Sequence, residues 1–209
     1  MDEKDKNSEY TVYEDEAFAT IGEAYYRGLG IKRDFNEAFR FYQKAANMGN
    51  VPALRRLGFC YELGHGTKRN LEAAVTCYET ASEKGDAMAT LKLGDFYRDG
   101  LKKLIISDRQ KAANYYLAAL QQAKQNYDVW NAAEIYLRVG DCLRTGIGID
   151  RDIEAAYDFY MAAVNLFLER IDSGDTESEE LLEEAELGAE ICAKELGYDS
   201  TVTSEGFEA

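Results

Sequence analysis

Very few residues of this chain are of a type and spacing that could do chemistry. It has one histidine, His65, inside the turn Gly64-His65-Gly66. As an acid–base group or a metal ligand it would stand without companions, so it reads as an exposed turn residue. Of the four cysteines, none forms a C-x-x-C pair, and Cys60 and Cys142 fall at equivalent points of a repeated pattern. They read as small buried hydrophobes. Gly28-Leu29-Gly30 and Gly64-His65-Gly66 look faintly like phosphate loops, but no Gly-Lys-Ser/Thr follows and no strand precedes them. The carboxylates of Glu179, Glu180, Glu183 and Glu184 could hold a divalent cation weakly; a solvated helix face is the better reading. The expectation is therefore no catalytic residue, no cofactor and no metal.

What must position these residues is a repeat of 36. Ile21-Gly22, Tyr25, Gly28 and Gly30 return as Leu57-Gly58, Tyr61, Gly64 and Gly66, then as Leu93-Gly94, Tyr97 and Gly100. Behind them run Ala38, Tyr42, Ala45 and Gly49, then Ala74, Tyr78, Ala81 and Gly85, then Ala112, Tyr116 and Ala119. A fourth copy carries Val139-Gly140, Gly146, Gly148, Ala156, Tyr160 and Ala163, with Leu143 in place of the first tyrosine. Each unit predicts two helices. The first places Phe18, Ile21, Gly22 and Tyr25 on one face, its glycine permitting close approach by a neighbour. Gly28, Gly64, Gly100 and Gly146 end it. Asp34, Asn70, Asp108 and Asp152 are expected to cap the second helix, Asp34 with Glu37 as a capping box, and Asn50 and Asp86 to cap the next unit. The third unit is irregular over Leu101 to Ile106, and a surplus around Gln121 to Trp130 predicts a bend or a lengthened helix.

These elements predict an all-α solenoid of four helix pairs, at about 15–49, 50–85, 86–125 and 128–172, plus a capping helix over 176–197 opened by a Thr176-x-x-Glu179 box. One domain is expected over 12–197, with a disordered acidic stretch at 1–11 and a flexible tail at 198–209. Charge is uneven. Residues 1–16 carry seven acids and two bases, and residues 169–209 carry fourteen acids and two bases. The stretch between has 18 acids and 20 bases, so both ends are acidic around a near-neutral body. Nucleic acid and anionic membrane are poor partners for such a molecule. The opening MDEKDKNSEY has no apolar run for a signal peptide, and nowhere do 18 apolar residues stand together, which points to a cytoplasmic location with reduced cysteines.

The pattern resembles the Sel-one-like repeat family, a subclass of tetratricopeptide-like repeats, through Gly28-Leu29-Gly30-Ile31-Lys32-Arg33-Asp34 and Tyr42-Gln43-Lys44-Ala45-Ala46 and their counterparts. Residues 17–49 and 53–85 follow the family pattern almost throughout; 89–120 and 135–163 follow it with the departures noted. The resemblance implies a right-handed αα-superhelix and a non-enzymatic role as adaptor or scaffold. First helices in tetratricopeptide-like folds line the concave side. By register the groove residues would be Glu23, Tyr26, Arg27, Arg55, Phe59, Glu62, Leu63, Leu91, Asp95, Arg98, Leu137, Asp141 and Arg144. They would hold a protein segment or peptide of about eight residues, on a face roughly 25–30 Å long. Apolar side chains would anchor it, and Arg98 and Arg144 would take carboxylates. Asp95–Arg98 and Asp141–Arg144 could instead pair with each other at i, i+3. A basic edge of Lys32-Arg33, Lys68-Arg69, Lys102-Lys103 and Arg151 fits cations near helix C-termini, or a seat for an acidic partner or the chain's own tails. Two other readings follow from the same residues: homodimerisation through apolar positions at the solenoid ends, and a hydrolase, credited to some relatives, against which the missing nucleophile–base constellation argues.

Overall fold

Alternation of glycine-bearing and alanine/tyrosine-bearing segments folds into consecutive helix pairs. A computed structural model describes the backbone of residues 3–126 and 131–198, with side chains from Glu14 onward except that of Glu177. The pairs are α1 (Glu3–Arg27) with α2 (Phe35–Asn47), α3 (Val51–Leu63) with α4 (Leu71–Glu83), α5 (Ala87–Asp99) with α6 (Arg109–Gln125), and α7 (Ala132–Thr145) with α8 (Ile153–Asp172). A 3-10 turn at Thr176–Ser178 leads into α9 (Glu179–Leu196). Among the described residues there is no β-strand element, and no helix is long and apolar enough to cross a membrane. The chain is an all-α helical repeat solenoid. Its contacts divide it into two compact units, one from residues up to Leu93 with Lys102–Ile105, the other from Gly94–Leu101 and from Ile106 on.

The second helix of every pair starts on the anticipated cap. Asp34, Asn70, Asp108 and Asp152 have extended backbone, and their side chains accept from the amide two or three residues on. Each cap also has a backbone bond back to its own first helix: the amides of Asp34, Asn70, Asp108 and Asp152 donate to the carbonyls of Tyr25, Tyr61, Tyr97 and Leu143 at 2.7–3.0 Å. Because that tie is main-chain, Leu143 replaces tyrosine without loosening the hairpin. It also corrects the capping box at Asp34: its amide is already taken, and Glu37 turns to Arg40 at 2.6 Å. Asn50 and Asp86 cap α3 and α5 through the amides of Ala53 and Ala89.

Other boundaries differ from the sequence reading. α1 starts at Glu3, so helical backbone covers most of the stretch expected to be disordered; Met1 and Asp2 lie outside the described residues. The surplus around Gln121 to Trp130 behaves as expected in one respect, lengthening α6 to 17 residues against 13 in α2 and α4. Residues 127–130 lie outside the description, as does the expected tail beyond Tyr198. The Thr176 box does not open α9. Ser178 stands at its N-cap without a side-chain bond to the helix, because its hydroxyl donates to Asp175 at 2.8 Å.

Glycines set the packing distances. A Cβ on the helical Gly22, Gly58, Gly94 or Gly140 would meet the ring of Tyr42, Tyr78, Tyr116 or Tyr160, at 2.8, 3.1, 2.5 and 3.1 Å. The close neighbour is therefore the tyrosine of the same pair. The second glycine of each turn has a different task. Gly66 lies against the Phe35 carbonyl and Phe39 of the preceding pair, and Gly148 against Ala113 of the pair before it. Gly30, which no described pair precedes, has nothing within 4 Å. Gly30 and Gly66 share nearly the same left-handed φ, 71° and 70°, so they separate conformation from contact. Alanine at either position meets the left-handed cost of about 1–2 kcal/mol. Gly66→Ala must also displace rigid backbone, adding about 1–3 kcal/mol. Urea unfolding is expected to rank Gly66→Ala clearly below Gly30→Ala; equal midpoints would refute the contact.

Candidate functional site

The first helices were expected to offer a lining of charged and apolar side chains. The structure separates that set into three groups by what each side chain touches. Leu91 and Leu137 are 5% and 0% exposed. Both are core residues rather than groove anchors, a correction that follows from helices covered on more than one side.

The acids of the set are held from within. Tyr42 donates its hydroxyl to Glu23 at 2.6 Å, Tyr78 to Glu62 at 2.9 Å, Tyr116 to Asp95 at 2.9 Å and Tyr160 to Asp141 at 2.7 Å. The ring that fills each helical glycine thus ends on a carboxylate of the facing helix. Three of those carboxylates also meet a cation from the next pair: Arg56 reaches Glu23 at 3.0 Å, Lys92 reaches Glu62 at 3.3 Å and Arg138 reaches Asp95 at 3.7 Å. Arg56, Lys92 and Arg138 were absent from the sequence reading. The signal was there, since each stands two residues before the glycine of its repeat, where the first repeat has Thr20 and α9 has Glu186.

The arginines are engaged as well. Arg98 makes two 2.8 Å bonds to Asp99 and approaches Asp95 at 3.4 Å. Arg144 donates to the Tyr160 hydroxyl at 3.0 Å and lies 3.7 Å from Asp141, and Arg55 pairs with Asp86 at 3.0 Å. The i, i+3 pairing of Asp95–Arg98 and Asp141–Arg144 is thus realised. Two arginines of the basic edge cap helices. Arg69 donates to the Glu62 carbonyl and Arg151 to the Arg144 carbonyl, at 2.8 and 2.9 Å, where the helix dipole favours a cation. Arg151 also bridges Glu195 of α9, so one cation of that edge does take an acid from the chain's own C-terminal part.

Tyr26, Arg27, Phe59 and Leu63 remain. In the first unit Tyr26 and Phe59 are half-buried, with ring centroids 6.1 Å apart. His65 joins them, stacked on Phe35 at 4.3 Å with its Nδ1 2.9 Å from the Tyr26 hydroxyl. It is a partly buried member of an aromatic cluster, which corrects the exposed-turn reading. Leu63 is 45% exposed, and Arg27, paired with Glu23, keeps its side chain 54% exposed.

Reactive chemistry has little support among these groups. Burial pushes the Cys60 thiol up to about 12 and the Cys142 thiol up to about 11, and it raises Cys77 and Cys192 too, so the nucleophilic thiolate is disfavoured at all four. Among the described residues no three His, Cys, Asp or Glu side chains gather to hold a metal.

The carboxylate–tyrosine pair makes a pH-dependent contribution at Glu23. Burial alone would raise this acid, but the Tyr42 hydroxyl, Arg56 and Arg27 together hold it below its ordinary value of 4.5. A depressed folded-state acid adds stability above its unfolded titration and loses it as pH falls through the folded one. Glu23→Gln is therefore expected to lower the urea midpoint at neutral pH and to match the parent chain in strong acid. A deficit that persists undiminished at low pH would contradict the ion pairing.

With this geometry established, comparisons with known proteins agree on the repeat. The Sel1 repeat pattern matches residues 21–50, 51–86, 87–124 and 133–166. A crystal structure of a Sel1 repeat protein from Oxalobacter formigenes is 26% identical, with a TM-score of 0.62, over 88% of this chain and 67% of that one. The c5321 protein, a protective antigen present in uropathogenic Escherichia coli strains and displaying an SLR fold, is 21% identical with a TM-score of 0.55. The match covers 88% of this chain and 45% of that one, which supports the fold alone. No curated protein matches the chain.

Proposed function

Because the chain belongs to the Sel1 repeat family, we propose that it is a non-enzymatic scaffold that holds a segment of another protein against its first helices. The observation that carries this reading is the aromatic cluster of the first unit. Tyr26, Phe59 and His65 are half-buried with rings in mutual contact, and Leu63 and Arg27 stand exposed on the same two first helices. Rigid aromatic surface beside an arginine is what interface anchors are made of, since such rings bury much area at small entropic cost, and the exposed Leu63 adds apolar area next to them. The carboxylates and the arginines Arg98 and Arg144 carry less of the binding in this reading, because each already has a partner in the chain. A guest would therefore be gripped through apolar and aromatic side chains more than through its charges. The compartment proposed is the cytoplasm, where the four free cysteines remain reduced.

A hydrolase reading has no comparable support. His65 is engaged with Tyr26, and burial raises the thiols of all four cysteines, which disfavours the nucleophilic thiolate. Selection of displayed random peptides on the immobilised chain tests the proposal. Enriched sequences rich in aliphatic and aromatic residues are expected, with affinity falling roughly tenfold or more on Leu63→Glu. Enrichment of nothing, or of peptides indifferent to Leu63→Glu and Tyr26→Ala, would overturn it.

A further inference from the structure

One face of α9 packs on the second unit, and another carries exposed apolar side chains. Ala185, Gly188, Ala189 and Cys192 are buried, with the Tyr160 ring against Gly188. Leu187 and Ile191, one helical turn apart on the opposite side, are 58% and 41% exposed. The repeat register accounts for the first of these. Leu187 precedes its glycine as Ile21, Leu57, Leu93 and Val139 precede theirs. That position is buried in Leu57, Leu93 and Val139 but 38% exposed in Ile21, which no described pair precedes. No second helix follows α9 among the described residues, and Leu187 is the most exposed of the five. It keeps an apolar side chain that no further described helix covers.

Charge indicates what kind of partner. α9 contains seven glutamates and one lysine. Glu184 accepts from Arg138 and Glu195 from Arg151, each at 2.6 Å, so the helix already draws arginines to two of its carboxylates. Glu180, Glu183 and Glu190 are exposed around Leu187 and Ile191 and make no ion pair among the described residues. We propose that this face receives a basic amphipathic helix of another protein, its apolar side on Leu187 and Ile191 and its lysines or arginines on the bordering glutamates. A second copy of the chain is the wrong occupant. Its own α9 would bring the same seven glutamates, and its α1 brings seven acids against three bases. Like charges set face to face repel, whereas opposite ones steer association.

The face belongs to the second unit and the aromatic cluster to the first, and they share no residue, so the two proposals can fail separately. The probe is a synthetic amphipathic helix of leucine and lysine, titrated into the full chain by calorimetry, beside a twin with glutamate for every lysine. The lysine peptide is expected to bind and to weaken as salt is raised. Leu187→Ser/Ile191→Ser is expected to cut its affinity about tenfold or more, and Glu183→Gln/Glu190→Gln several-fold. All four substituted side chains of the α9 variants are exposed, and far-UV circular dichroism checks that α9 persists. Three results would overturn the proposal: unchanged affinity in the leucine–isoleucine variant, equal binding of the glutamate twin, or a concentration-dependent dimer that the same variant abolishes.

Discussion

Each repeat depends on one side chain, the tyrosine of its second helix. Its ring occupies the space that a glycine leaves on the facing helix, and its hydroxyl ends on a carboxylate of that helix. The two halves require each other. The phenol is buried almost completely in all four, Tyr42, Tyr78, Tyr116 and Tyr160, and a buried hydroxyl without an acceptor costs about 1–3 kcal/mol. The acid supplies the acceptor, and it sits within reach because the glycine lets the ring approach the helix closely. Burial and the neighbouring carboxylate push all four tyrosines far above their usual titration, so they stay neutral donors.

That arrangement links the repeats as well as the helices within them. A carboxylate that has accepted one hydroxyl still has lone pairs to fill, and Arg56, Lys92 and Arg138 reach Glu23, Glu62 and Asp95 from the following pair. Ion pairs between such half-exposed groups contribute modestly one by one. They matter more for register, because a slip of one helical turn would leave both a buried hydroxyl and a carboxylate unmatched. Charge on the first helices is therefore mainly a structural resource, which is why the proposed binding surface rests on rings and aliphatic side chains.

Much of this was legible from spacing. The 36-residue period predicts the helix pairs, and short polar side chains in front of apolar runs predict the caps that Asp34, Asn70, Asp108 and Asp152 form. Less legible was anything requiring knowledge of which faces become covered. Leu91 and Leu137 occupy positions that face outward in an isolated hairpin, yet packing from further elements buries them. His65 reads as a turn residue because two glycines flank it, but the stacking of Phe35 and the Tyr26 hydroxyl come from 30 and 39 positions away. The cations of the ladder escaped notice for a related reason: their common place before the glycine is visible, but the acid they meet lies one repeat earlier and does not keep a constant offset, being Glu62 in the second repeat where the others place it directly after the glycine.

The same bookkeeping explains why α9 differs from a fifth first helix despite its Leu187-Gly188 pair. A first helix in the interior of the series needs a cation two residues before its glycine, to meet the carboxylate of the repeat behind it. α9 has Glu186 there, and Asp141 is instead satisfied by Tyr160 together with Arg138 and Arg144 of its own helix. The ladder therefore ends at the fourth repeat, and α9 is joined to it by a reversed polarity, its glutamates accepting from Arg138 and Arg151. Once the helix no longer needs to offer cations inward, nothing in the packing limits its acidity outward. Leu187 and Ile191 are exposed on a helix whose surroundings are rich in glutamate, and in the proposed reading that charge favours a basic partner over a like-charged one.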